Sequence, residues 1–483
     1  MQFLQSKIGF EQWWCEAKLV RLARKPPRPL PVLHQDSHSF SKPTKLHGET
    51  RMNTKSICLP LIALALVGCV SPTDPEPVSE VAADSEAAPT ARYSEADEAE
   101  YLRRFQQLLE DSRVGAGLTA YDPLEPVAGS KAHTPLPLAQ NKALSDEAIQ
   151  AARSYAAERS SSAFIIWQDG AIQHQSYFGD FDAETPIVSK SLAKPVTALL
   201  IGRALKEGHI QSLDQPVADF ITEWKDDEGR SKILIRHLLD MRTGLLPQGF
   251  NADPDDILNR AYLHPRHDEV IINDYPMTHV PGERYEYSNA NSELVAPVIE
   301  RATGVRYGDF LSQSLLKPIG AMGGSIWTNR EGGTAHSGCC LLLPAQTWVR
   351  MGMLLLNDGV WEGERLLPEG YVAEMRQGTA ENPYYGLGVW LTGPYISKRG
   401  FAHPDVPFGK VDHAEAYLDK DLFLFDGNSN QVVYMIPSQN MIVLRTGSTP
   451  PKDSPWDNTL LPNLLIRDSV EQSGRKLPEP QPR

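Results

Sequence analysis

The stretch Ile187-Val-Ser-Lys-Ser-Leu-Ala-Lys-Pro-Val-Thr-Ala-Leu-Leu-Ile201 decides how the rest of the chain is read. Ser191 is followed three residues later by Lys194, at the start of an apolar helix. Residues i and i+3 of a helix share a face, so the hydroxyl and the amine can converge on one point. Lys194 falls a turn inside the helix, against Val196, Ala198, Leu199 and Leu200. Pro195 sits in the first turn, where a missing N–H does little harm. The free N–H groups of a helix N-terminus suit a developing negative charge. Ser191 is therefore the candidate nucleophile and Lys194 its base. The same spacing recurs at Ser39/Lys42, Ser314/Lys317 and Ser473/Lys476, and context separates the copies. Ser39 lies in a basic leader and Ser473 in a polar tail, while Ser314 ends a helix that runs into Pro318.

Outward from this stretch, 483 residues suggest two to three structural units. A net charge of −14 argues against nucleic acid as a partner, since that needs a basic face. Residues 1–51 hold nine Lys/Arg against four Asp/Glu, so the remainder carries −19. They read as an over-extended start. Met52 opens a charged segment followed by the short apolar run Ile57–Val67, the pattern of a secretion signal over 52–69. Its end, Leu66-Val-Gly-Cys69, resembles a bacterial lipobox, which implies lipidation of Cys69. Val70 after the cysteine favours the outer membrane, so the expected location is periplasmic and lipid-anchored. Residues 70–143 read as a solvated tether and an N-terminal extension, with a polar helix over 94–112.

The folded core is expected from about Leu144. Ser145 is a good N-cap with acidic residues behind it, and Gln168-Asp-Gly170 signals a hairpin. The pattern is then mostly helical to about residue 380. Strands return at Tyr385–Leu391, Leu422–Phe425, Val432–Ile436 and Met441–Arg445, with a last helix over 456–470. This predicts an α+β fold: an antiparallel sheet domain, 144–212 with 381–472, interrupted by a helical domain over 213–380. Cys339 and Cys340 read as two buried thiols, because adjacent Cα atoms are about 3.8 Å apart, closer than a disulfide usually allows. No Cys or His spacing matches a metal site.

Two further segments carry chemistry. Tyr287-Ser-Asn289, ahead of a helix, can hold a phenol and an amide toward a cleft. The phenol can relay a proton, or act as a phenolate base, and the amide can meet a substrate. Phe425-Asp-Gly-Asn428 leads into a strand. Gly427 lets backbone approach a ligand, and the Asn428 N–H can join that of Ser191 as an oxyanion hole. His336 is a candidate substrate contact, though such a histidine is more often structural.

In their order and context these segments resemble the serine hydrolases related to class C β-lactamases, D,D-peptidases and 6-aminohexanoate-dimer hydrolase. The resemblance covers about 145–470. It implies a β-lactamase/transpeptidase-like fold with the site between sheet and helical domain, and no cofactor. It also implies Ser191 as nucleophile, Lys194 as base, Tyr287 as relay and Asn289 as a substrate contact. Where β-lactamases carry Lys-Thr-Gly, this chain has Phe425-Asp426-Gly427. That predicts repulsion of a β-lactam carboxylate and a preference for neutral or cationic substrates. The expected activity is hydrolysis of a small ester, amide or peptide-like substrate through an acyl-enzyme. A β-lactamase or D,D-peptidase is the alternative, and an inactive envelope-binding module the alternative of another class.

Overall fold

Asp169 and Gly170 adopt φ values of 50° and 95°, the two left-handed residues that a tight hairpin turn needs. They join Ser161–Gln168 to Ala171–Tyr177 and begin the main sheet. The computed structural model describes residues 92–113, 120–402 and 410–483. The expected leader, signal, Cys69 and tether up to residue 91 lie outside the described residues. Among the described residues no helix is long and apolar enough to cross a membrane.

The main sheet has six antiparallel strands. Its order is Ala171–Tyr177, Ser161–Gln168, Met441–Gly447, Gln431–Ile436, Phe423–Gly427 and Trp390–Leu391. Ser161–Gln168 and Gln431–Ile436 are buried at every position, as strands covered on both faces must be. On one face, Phe164, Ile166, Tyr434 and Val443 pack with Ile149 and Ala152 of helix Asp146–Ala157 and with Leu465 of helix Leu460–Ser473. Ser145 caps the first of these helices, its Oγ accepting from the Ala148 N–H. On the other face, Ile165, Met435, Ile442 and Leu444 belong to the core cluster that also takes in the apolar residues of the helix Ala193–Lys206. That helix is buried from Ala193 through Ala204, which explains why apolar residues recur all round it, with Lys194, Thr197 and Arg203 as the polar exceptions.

The α+β class, with an antiparallel sheet flanked by helices, is as the sequence implies. Two features differ from the reading. Helix Ala345–Leu356 packs on the main sheet, where a Cβ on Gly352 would lie 3.1 Å from Ile442. The stretch read as helical also contributes Gly324–Trp327 and Leu341–Leu343 to a small antiparallel sheet, completed by Leu124–Val127 and Ile187–Val188. This second sheet bears on the candidate site because Ile187–Val188 leads directly into the turn that holds Ser191.

Candidate active site

The strand Ile187–Val188 ends at Ser189, whose N–H donates to the Leu341 carbonyl at 2.8 Å. The Leu341 N–H donates back to Ser189 Oγ at 3.1 Å. Lys190 then takes φ +49°, a left-handed value that turns the chain sharply. Ser191 lies in the 3-10 turn Lys190–Leu192, immediately before the helix Ala193–Lys206. The neighbouring Lys190 is engaged elsewhere, donating to Tyr121 Oη at 2.5 Å.

Lys194 is 2% exposed. Its Nζ donates to Ser191 Oγ at 3.3 Å, to Asn289 Oδ1 at 2.7 Å and to the Gly338 carbonyl at 3.0 Å. All three acceptors are neutral. Burial pulls the ammonium down to about 7, and the Glu293 carboxylate opposes that pull.

The Tyr-x-Asn loop is held by two backbone bonds, Glu286 N–H to the Met241 carbonyl and Gln248 N–H to the Tyr287 carbonyl, each 2.9 Å. The Tyr287 ring lies 4.9 Å from Lys194 Nζ. It packs among Trp390, Tyr385 and Phe401. Burial pushes its phenol well above the usual range, with a hydrogen bond to Ser191 opposing the rise. Tyr287 is thus a neutral phenol beside Ser191 rather than a phenolate. Asn289 opens the helix Asn289–Glu293. Its oxygen holds the lysine, which leaves its amide nitrogen as the group that can meet a substrate.

Gly427 ends the strand Phe423–Gly427 against the nucleophile turn. A Cβ there would lie 3.1 Å from Leu192 N, 3.2 Å from the Ser189 carbonyl and 3.3 Å from Ser191 N. The structure thus brings Ser191, Lys194, Tyr287, Asn289 and Gly427 together, with the exposed Asn428 next in the chain. Gln431 also ties the strand to the turn, donating to the Val188 carbonyl at 2.9 Å.

Four expectations are corrected. Asp426 is not an unpaired charge facing a ligand, because its carboxylate accepts from the Arg399 guanidinium and from Asn458 Nδ2 at 2.9 Å. Arg399 in turn stacks over Trp390 at 3.9 Å. The repulsion argument for substrate charge therefore fails. Phe425 is fully buried in the core, since alternation along the strand turns it away from the face that bears Asp426. His336 is also fully buried, sandwiched between Trp327 at 3.7 Å and His267 at 4.0 Å, so it does not reach a substrate. Cys339 and Cys340 form a disulfide with their Cα atoms 3.7 Å apart. Cys340 takes φ +66° to close it, a backbone freedom that the distance argument leaves out.

Residues missed from sequence are Arg399, Gly338 and the pair His267 and Glu293. Gly338 acts through its carbonyl, for which no side-chain signal exists. Among the described residues, His267, Glu293 and His336 are the groups spaced closely enough to suggest a metal. The two imidazoles, however, lie parallel, 13° apart in plane. Their in-plane lone pairs run in two separate sheets and do not converge on one ion.

The family model described as Beta-lactamase matches residues 147–338. The 6-aminohexanoate-dimer hydrolase of Paenarthrobacter ureafaciens is 24% identical over 235 residues, which are 46% of this chain and 58% of that relative. The match therefore spans little more than half of the relative's length. A solved structure from Bacillus anthracis, provisionally assigned as a 6-aminohexanoate-dimer hydrolase, superposes with a TM-score of 0.57 at 17% identity, covering 77% of this chain and 94% of that one. A provisionally assigned beta-lactamase from Bacteroides dorei gives 0.52 at 17% identity, over 67% of this chain and 97% of its own. These two likenesses concern the fold. The matched segment itself holds Ser191, Lys194, Tyr287 and Asn289, so the likeness to the Beta-lactamase family model covers the candidate site.

Proposed function

We propose that this protein hydrolyses an ester or amide bond through an acyl-enzyme on Ser191, in the manner suggested by its 6-aminohexanoate-dimer hydrolase relative. The observation that carries the reading is the buried Lys194 Nζ, 3.3 Å from Ser191 Oγ and free of any contacting carboxylate. A neutral amine there takes the serine proton as Oγ attacks the substrate carbonyl. The N–H groups of Ser191 and Asn428 are the candidate donors to the resulting oxyanion. The Tyr287 hydroxyl stands between Ser191 and the leaving group and hands on the proton that the leaving alcohol or amine needs. Water, deprotonated by the same relay, then attacks the acyl ester and releases the acid with Ser191 restored.

A fluorophosphonate probe tests this directly. Wild-type protein should be labelled at Ser191, and the label should compete with p-nitrophenyl esters and short amides. Ser191→Ala should take up no label. A folded wild-type protein that the probe never labels would point instead to an inactive binding module.

A further inference from the structure

Behind the lysine lies a second layer of titratable groups. Asn289, which holds Lys194, and Glu293 are four residues apart and share one helix face. Gly338, whose carbonyl also holds Lys194, lies flush against Glu293: a Cβ on it would sit 2.9 Å from Glu293 Oε1. Ser337 rivets this segment in place, its Oγ donating to the Ser292 carbonyl at 2.7 Å. Glu293 is 1% exposed. Neither of its carboxylate oxygens, and no ring nitrogen of His267 or His336, has a hydrogen-bond partner among the described residues. The nearest contacts of the carboxylate are His267 Nε2 at 3.6 Å and His336 Nδ1 at 3.8 Å. These are ion-pair separations, too long for hydrogen bonds.

An isolated carboxylate does not survive burial without a compensating positive charge. Two sources lie within reach, the lysine on one side and the imidazoles on the other. Were Lys194 the counter-ion, it would stay an ammonium and fail as a base. We infer that Glu293, His267 and His336 form a buried charge unit behind the lysine, in which one proton held by the stacked imidazole pair is the counter-charge of the carboxylate and leaves Lys194 free to be neutral. This inference rests on the reading of Lys194 as the base. The three are positioning residues, since none touches Ser191.

The surroundings agree. Burial would raise the Glu293 carboxyl, but the two imidazoles outweigh it and hold the group at about 2. Burial lowers His336 to about 3, helped by His267 and opposed by Glu293, so the stacked pair carries one proton and not two. The other groups that face the carboxylate are the phenols of Tyr262 and Tyr307, both pushed up by burial first and by Glu293 second or later. Arg104 adds positive potential at His336, and Asp268 adds a negative charge beside His267. Apart from Lys194 itself, the imidazoles are thus the only groups close enough to pair with Glu293 among the described residues.

The test is the pH profile of kcat/KM for a p-nitrophenyl ester. In the wild type the rising limb should lie near neutrality, and Lys194→Ala should abolish it. His267→Gln with His336→Asn strips the counter-charge, so the limb should move upward by about one pH unit or more. Adding Glu293→Gln to that double variant should bring the limb back to the wild-type position or below. Reversal by a third substitution is a readout that a purely structural role does not produce, because packing defects compound. Each single histidine variant is measured beside the double, so a misfolded double variant leaves the comparison intact. A limb that Lys194 controls but that neither histidine moves, or one that Glu293→Gln fails to restore, overturns the charge unit alone. A limb that persists in Lys194→Ala overturns the base assignment and this inference with it. Stoichiometric zinc found in the purified protein by elemental analysis would also overturn it.

Discussion

Replacing Lys194 by methionine isolates the titration on which the proposed chemistry depends. A free lysine titrates near 10.4, and burial brings Lys194 down to about 7. That fall corresponds to roughly 5 kcal/mol. Because the folded value is the lower one, the unfolded chain binds more protons between pH 7 and 10.4, and stability rises with pH across that window. Below pH 7 the buried ammonium imposes its full penalty on the folded state; above pH 10.4 none remains. Lys194→Met keeps much of the volume and removes the proton. It also leaves Asn289 Oδ1 and the Gly338 carbonyl without a donor, a loss of order 1–3 kcal/mol each that does not vary with pH. All other titrations cancel in the difference between the two proteins. Wild type should therefore gain about 2 kcal/mol on Lys194→Met between pH 7 and 9, whatever the constant offset. Urea unfolding at half-unit pH steps measures it. A difference that stays flat within about 0.5 kcal/mol over that range would refute the reasoning, since it would mean that Lys194 is an ordinary ammonium in the folded protein.

Two further outcomes follow from the geometry around it. Gly427→Ala should cut kcat by about 10²–10³ with little change in stability, because the new Cβ presses on the backbone N of Leu192 and Ser191 and moves one oxyanion donor away from the other; the glycine has φ −127°, so alanine meets no backbone strain there, and a kcat within threefold of wild type would remove Asn428 from the site. Arg399→Leu should destabilise the fold by about 3–5 kcal/mol in urea at pH 7, because it leaves the Asp426 carboxylate buried without its cation; the double variant with Asp426→Asn should recover most of that loss, and no recovery would mean that the arginine acts through its packing on Trp390.

What could be read from sequence was the part in which one short stretch specifies its own geometry. Ser191 and Lys194 meet because i and i+3 do so on any helix, and the Ser145 cap and the Asp169-Gly170 turn are likewise local. The small sheet was not legible because its strands hold two to four residues each, too few for alternation to register. Their pairing joins positions near 124, 187, 324 and 341, which no periodicity links. The same limit explains the error over Asp426. Residue type announced a charge, but its partner Arg399 lies in another strand, Lys398–Gly400, and only the fold brings them together. Asn289 was expected to meet a substrate, and its oxygen is taken by Lys194 instead, because a sequence lists polar atoms without pairing them.

The pairing is where the chemistry is decided. Burial alone does not make a lysine a base, since a carboxylate in contact would hold its proton against desolvation. Here the contacts of Lys194 Nζ are a hydroxyl, an amide oxygen and a backbone carbonyl. The two carboxylates nearest the site both have other partners: Asp426 is bound by Arg399, and Glu293 faces two imidazoles. With the acids matched elsewhere, desolvation is the largest influence left on the ammonium. In the proposed mechanism the turn that presents Ser191 supplies the nucleophile, and the distribution of counter-charges over the second layer is what would let the neighbouring amine accept its proton near neutral pH.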